Sequence, residues 1–290
     1  TLRLGDLVNA SGYPDGAVNI VPCSVEVAQI LIEDPRVRVI TFTGSAKAGW
    51  AIRAKAGSKR VLLELGGNAA VIVEPDADLT WAASRCAVGG FTYAGQSCIS
   101  TQRIYVHESV YTPFLDAFTR RVQQLKVGNV LDDQTDVGPM ISLDAAERVE
   151  RWIAEAVAGG AKIELGGKRR GVYLEPTVLT HTTADMKVNC EEVFAPLVTV
   201  TPYKSLNDAI AWANASPYGL QAGVFTTNLQ TMFKLHAELD VSAVNGNDIP
   251  GFRVDRLPYG GAKASGLGRE GVRYAIEEMT ERRVLTLKLD

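Results

Sequence analysis

Residues 37–45 read Val-Arg-Val-Ile-Thr-Phe-Thr-Gly-Ser; after the stretch Ala46 to Ala56 come Val61-Leu62-Leu63-Glu64-Leu65-Gly66-Gly67-Asn68 and Ala69-Ala70-Val71-Ile72-Val73. The first run is β-branched and apolar and ends in small residues, so it predicts a strand over 37–43. Ser45 is a capping residue ahead of a helix over 46–56. Runs 61–65 and 69–73 predict two further strands. Strands alternating with helices in this way are the unit of a parallel sheet.

The alternation extends both ways. Ala17 to Val21 is a short β-rich run, and Ser24 can cap a helix with Glu26 and Glu33 on its polar side. Downstream, helices are expected over 78–89, over 109–125 with Ser109 as cap, and over 144–158, 205–215, 228–239 and 271–279. Strands are expected over 102–106, 222–225 and 241–245. Arg282 to Leu289 alternates apolar and charged residues, as an exposed strand does. The expected class is α/β with a parallel sheet.

The bulk numbers exclude several functions. A chain of 290 residues makes one large or two medium domains, and 46% hydrophobic with 22% charged residues is ordinary for a globular protein. A net charge of -3 argues against a nucleic-acid surface and against an electrostatic membrane anchor. No apolar run approaches the ~20 residues that span a bilayer. Thr1 to Asp6 has neither the basic start nor the apolar core of a signal peptide. Cys23, Cys86, Cys98 and Cys190 match no zinc spacing and are read as reduced thiols of a cytoplasmic protein. His107, His181 and His236 sit in no Cys-His or His-Glu arrangement and are read as structural.

One cysteine differs from the rest. Cys98 lies in Phe91-Thr92-Tyr93-Ala94-Gly95-Gln96-Ser97-Cys98-Ile99-Ser100, at the end of an apolar helix, whereas Cys23, Cys86 and Cys190 are expected to be small buried hydrophobes. A thiol becomes a nucleophile on losing its proton, which needs a base, a cation or a helix terminus. Glu64, a carboxylate after an apolar strand, is a group whose pKa burial can raise toward neutrality.

Other motifs keep two readings. Thr43-Gly44-Ser45 is either an anion site at a helix start or a plain turn with Ser45 as cap. Glu191 to Pro196 on chemistry alone is a charged turn with Phe194 in the core. Gly266, Gly268 and Gly271 fit a dinucleotide pattern but follow a loop instead of a strand, so that meaning is rejected. Pro258 to Arg269 is a glycine-rich loop that must either take backbone conformations other residues cannot or approach something closely.

Taken in order, Phe-Thr-Gly-Ser at 42–45, Glu-Leu-Gly-Gly-Asn at 64–68, Gly-Gln-Ser-Cys at 95–98, Glu-Val-Phe-Ala-Pro at 192–196 and Pro-Tyr-Gly-Gly-Ala-Lys-Ala-Ser-Gly-Leu-Gly-Arg-Glu at 258–270 resemble the aldehyde dehydrogenase superfamily. The resemblance implies that Cys98 forms a thiohemiacetal with an aldehyde and passes hydride to NAD or NADP. It implies that Glu64 activates the water that hydrolyses the resulting thioester, which is the non-acylating branch. Gly44, Ser45, Leu65, Glu192 and Phe194 would contact the cofactor, with Glu192 on the nicotinamide ribose. The Cys98 amide would supply half of an oxyanion hole. The family's Val-Pro-Gly turn is Val21-Pro22-Cys23 here.

The implied fold is a parallel-sheet catalytic domain over 66–280, the last part of a Rossmann-like cofactor domain over 1–65, and an oligomerisation arm over 281–290 that pairs with a homodimer or homotetramer partner. The family's N-terminal region precedes Gly12, so this chain by itself is expected to oxidise aldehydes poorly. A cofactor-independent cysteine esterase and a non-catalytic oligomerising fragment are the alternatives. Phe252 and Arg253, ahead of the glycine loop, would line the substrate entrance, and Arg253 could grip a carboxylate or phosphate. The competing reading pairs Arg253 or Arg256 with Asp248 or Asp255. Small polar or acidic aldehydes such as lactaldehyde and succinate semialdehyde are the expected substrates.

Overall fold

The computed structural model of the protein describes residues 1–289. Helices α1 (Leu2–Ala10) and α2 (Val25–Glu33) precede β1 (Val39–Thr43), α3 (Ala46–Lys55), β2 (Arg60–Glu64) and β3 (Ala69–Val73). Then come α4 (Leu79–Phe91), β4 (Thr101–His107), α5 (Tyr111–Gln123), α6 (Leu143–Ala158), β5 (Lys162–Leu165), β6 (Arg169–Arg170), β7 (Tyr173–Leu174) and β8 (Thr177–Thr180). The chain continues with α7 (Lys187–Cys190), β9 (Leu197–Tyr203), α8 (Leu206–Asn214), β10 (Tyr218–Gly219), β11 (Gln221–Phe225), α9 (Leu229–Glu238) and β12 (Ala243–Gly246). It ends with β13 (Ala262–Lys263), β14 (Gly266–Leu267) and α10 (Val272–Met279).

Seven strands form the main sheet, in the order β12-β11-β3-β4-β9-β8-β5. All its pairings are parallel except β5 with β8 at one edge. A parallel sheet is covered on both faces, and the strands show it: every residue of β3 is buried. Successive side chains point to opposite faces. Val71 and Val73 pack with Phe91 of α4 and Phe114 and Phe118 of α5, whereas Ala70 and Ile72 pack with Ile210 of α8 and Leu235 of α9. Each fully buried side chain of this size contributes about 1.5–3 kcal/mol. α6 covers the β8–β9 end through Val149 and Ile153.

A second, three-stranded sheet carries β1 parallel to β2 and β14 antiparallel to β2. α3 lies beside it, and Ala46, Ile40 and Phe42 close over Val61, Leu63 and Leu65. Side-chain caps form where the sequence put them: Ser24 on the Val27 amide, Ser45 on Ala48, Asp78 on Trp81 and Asn228 on Gln230 and Thr231.

Four expectations need correction. Residues 17–21 form no strand, because among the described residues no neighbouring strand satisfies their backbone groups. Among the described residues Arg282 to Leu289 pairs with no strand of its own chain and leaves Val284 and Leu289 91% and 86% exposed. Ser109 sits inside a 3₁₀ turn capped by His107, and the α-helix begins only at Tyr111. Cys23 and Cys190 are exposed, and only Cys86 is the buried hydrophobe expected of all three. The rejected glycine pattern is confirmed as such, since Gly266 belongs to an antiparallel strand.

Candidate active site

The site lies where the chain crosses from the small sheet to the large one. Glu64 is the last residue of β2, and its backbone is held between Thr43 on β1 and Gly266 on β14. Gly44 donates its amide to the Glu64 carbonyl at 3.0 Å, and the buried Leu65 donates its own to Ser265 at 2.9 Å. The Glu64 side chain is 8% exposed, and its Oε2 finds no partner among the described residues. Burial, reinforced by the negative charge of Glu270, pushes its pKa up to about 7 against the pull of Arg253 and Arg269. A carboxylate left without donors in an apolar setting holds its proton more tightly.

Cys98 is delivered by a strained turn. After Phe91 the chain makes a 3₁₀ turn over Thr92–Gly95 in which Tyr93, Ala94 and Gly95 have φ of 53°, 54° and 66°. Side-chain residues rarely take this left-handed region, and such strain persists only where surroundings enforce it. Gln96 does so: its amide donates to the Tyr93 and Pro139 carbonyls at 3.2 Å each and accepts from the Ile141 amide at 2.8 Å.

The Cys98 thiol is half-buried. Its Sγ lies 3.2 Å from the Tyr259 hydroxyl. Burial pushes the thiol pKa up, the Tyr259 contact opposes it, and the charges of Glu64 and Glu192 push it further up. No helix terminus offsets these effects, so the resting group is a thiol.

Glu192 follows α7, and its Oε1 accepts the Gly67 amide at 2.8 Å. Burial raises its pKa, opposed by that amide and by Arg148. Its other oxygen faces Gly66 so closely that a side chain there would overlap it. Phe194 is 37% exposed with φ of 52°, so it lines a cleft with Tyr93, Gln96 and Ile141 and stays out of the core. Gly44 and Ser45 stand at the start of α3, where the first-turn amides point outward.

Arg253 neither stays free nor pairs as the competing reading had it. Its Nη2 meets Glu270 Oε2 at 3.0 Å, and its guanidinium stacks 4.0 Å from the centre of the Tyr259 ring. Asp248 is taken by Arg85 at 2.7 Å. Arg253 shares a cavity of about 400 Å³ with Glu64, Arg269 and Glu270, whereas Phe252 is an exposed neighbour outside that lining. The structure thus brings Cys98, Glu64, Glu192 and Arg253 into one electrostatic neighbourhood. Tyr259 and Glu270 are the members that residue patterns missed. Their only signal was the glycine-rich 258–270 loop, which demanded a close approach without saying to what.

A cysteine thiol and a buried carboxylate of raised pKa, at the junction of a parallel sheet and a smaller sheet, are the two groups that nucleophile-and-base chemistry needs. Residues 1–285 match the aldehyde dehydrogenase family, and the chain belongs to that family. It is 49% identical over 289 residues to 3-sulfolactaldehyde dehydrogenase of Priestia megaterium, covering 99% of this chain and 61% of that protein. It is 39% identical over 288 residues to aspartate-semialdehyde dehydrogenase 1 of Pseudomonas canavaninivorans, with 99% and 61% covered. The chain therefore spans about 60% of the length of these curated relatives.

Two solved structures extend the comparison. Aldehyde dehydrogenase 21 of Physcomitrella patens, in complex with the reaction product succinate, superimposes with a TM-score of 0.96 at 43% identity, covering 99% of this chain and 60% of that one. A glyceraldehyde-3-phosphate dehydrogenase of Methanocaldococcus jannaschii, complexed with NADP, gives 0.91 at 40% identity, with 95% and 60% covered.

Proposed function

We propose that the protein carrying these residues oxidises a small anionic aldehyde to its acid with NAD or NADP, through a cysteine-bound acyl group. The observation that carries this reading is the buried, unpartnered Glu64 carboxylate with its pKa near 7, electrostatically coupled to the Cys98 thiol. Cys98 gives up its thiol proton to solvent, its sulfur forms the new S–C bond with the aldehyde carbonyl, and the amide of Cys98 would donate to the oxygen that gains charge. When bound, the nicotinamide cofactor accepts the hydride that turns this adduct into a thioester. Glu64 then takes a proton from water, the water oxygen attacks the thioester carbon, and the C–S bond breaks to release the acid and restore the thiol.

The chain's own groups fit such a cofactor. The Glu192 oxygen facing Gly66 is a half-buried acceptor suited to a sugar hydroxyl, and the start of α3 behind Gly44 and Ser45 suits a pyrophosphate. Leu65 and Phe194 would flank the nicotinamide side. On this reading residues 1–65 complete a cofactor domain and 66–280 are catalytic. The residues from 281 onward, with Leu285 and Leu287 81% and 69% exposed, pair with a second copy in a homodimer or homotetramer.

The test is a single turnover. Mixed with aldehyde and NAD(P), the protein should form one equivalent of reduced cofactor with an acyl adduct that mass spectrometry maps to Cys98. Activated-ester turnover without any cofactor reduction would instead make it a cysteine hydrolase.

Several relatives act, by name, on sulfolactaldehyde, sulfoacetaldehyde or succinate semialdehyde, and Arg253, which shares a cavity with Glu64 and Arg269, would read such a charge by exchanging its Glu270 contact for the substrate. Arg253→Ala should lower kcat/KM for an acidic aldehyde by about 10-fold or more beyond whatever loss it causes on an uncharged aldehyde of equal length, given the strength of one charge-assisted hydrogen bond. Equal loss on both substrates would remove Arg253 from this role.

A further inference from the structure

We propose that Tyr259 is the positioning residue of the Cys98 sulfur, its phenol donating to the thiolate whenever the proton leaves. The inference rests on Cys98 being the nucleophile and adds a residue to which that reading gave no part. Three observations carry it. The Tyr259 hydroxyl is 3.2 Å from Cys98 Sγ, and its ring is 6% exposed, so little water competes for the contact. The ring cannot drift, because Tyr259 and Glu270 exchange backbone hydrogen bonds of 3.1 and 2.6 Å in both directions. The Arg253 guanidinium lies 4.0 Å from the ring centre, and Glu270 holds it there at 3.0 Å.

A cation on the face of a phenol draws electron density from the ring and makes the hydroxyl a better donor. The charged groups around the sulfur otherwise all disfavour a thiolate: Glu64 and Glu192 are both carboxylates. Arg148 acts on Glu192, and Arg253, Arg269 and Glu270 act on Glu64. The phenol is the one side-chain donor on it among the described residues. A hydrogen bond of 3.2 Å to sulfur also fixes the side-chain rotation, which decides where the nucleophile points.

The experiment uses limiting iodoacetamide, with adducts mapped residue by residue from pH 6 to 10, and needs neither aldehyde nor cofactor. In Tyr259→Phe the ring and its packing stay and the donor goes. The Cys98 rate profile should move to higher pH, with alkylation at pH 7.5 slower by about 3- to 10-fold, while the exposed Cys190 keeps its parental profile. An unchanged Cys98 profile, or one displaced to lower pH, overturns the proposal. If Cys86 becomes labelled in that variant the fold has opened, and Arg253→Gln then decides. It leaves the phenol in place but strips its cation, so a smaller displacement in the same direction supports the proposal and no displacement overturns it. Should Cys98 of the parent protein resist alkylation throughout while Cys23 and Cys190 react, the nucleophile assignment itself fails, which is a different result.

Discussion

Glu64→Gln should slow steady-state aldehyde oxidation by roughly 10²–10⁴, the range for losing a positioned general base. It should spare the first equivalent of reduced cofactor, because hydride loss does not use this carboxylate, so a burst without turnover is the signature. The pH dependence follows from the pKa near 7. Only the ionised carboxylate accepts a proton from water. Parental turnover limited by this step should therefore climb between about pH 6 and 8 and level off, while the variant stays flat over that range.

Stability runs the opposite way. Below pH 4.5 both the unfolded and folded forms of Glu64 are protonated. As pH rises the unfolded chain gives up the proton first and the folded chain keeps it until about 7, so stability falls across that window. Gln cannot titrate. The variant should gain on the order of 2 kcal/mol relative to the parent by pH 8 and nothing at pH 4. Urea midpoints that shift equally at both pH values, or turnover at the parental rate, would refute the assignment.

Gly67→Ala should be among the most damaging small substitutions near the site. A Cβ on Gly67 would overlap the carbonyl oxygen of Cys98, which is backbone and cannot rotate away. The same residue donates the 2.8 Å hydrogen bond that holds Glu192. Forcing the two strands of chain apart should cost about 3 kcal/mol or more, the upper end for overpacking. With an m-value of about 1–3 kcal/mol per molar urea, the midpoint should fall by about 1 M or more. Cys98 should also lose its selectivity toward alkylation, because its backbone moves. A parental urea midpoint would show that the crossing yields more easily than the geometry implies.

What residue patterns revealed and what they hid divides along a physical line. β3 over 69–73 was legible residue for residue, because a strand buried on both faces must be apolar throughout. The caps at Ser24, Ser45, Asp78 and Asn228 were legible because a hydroxyl, carboxylate or amide at that offset satisfies its own helix. Cys98 and Glu64 stood out because each sits beside a glycine turn at the end of a regular element.

The rest depends on approach between distant segments. β14 is a Gly-Leu pair with no propensity of its own, and it is a strand only because β2 needs a partner there. Arg253 was weighed against nearby Asp248 and Asp255, yet its partner is Glu270, 17 residues on, brought close by the turn through Gly260 and Gly261. Residues 17–21 and 282–289 carry strand composition, but among the described residues of this one chain no strand lies against them, and composition cannot supply one.

Tyr259 and Cys98 touch across 161 residues of chain. On a ribosome adding roughly 5–20 residues per second, the sulfur emerges roughly 10–30 s ahead of the phenol. Throughout that interval it is an ordinary cysteine on a nascent chain, open to peroxide and to exchange with other thiols. The β2 edge that β14 will occupy is open for longer still, and a bare strand edge invites pairing with neighbouring chains. How much of the chain reaches this contact intact should therefore depend on how reducing and how crowded the surroundings are before residues 259–267 are made.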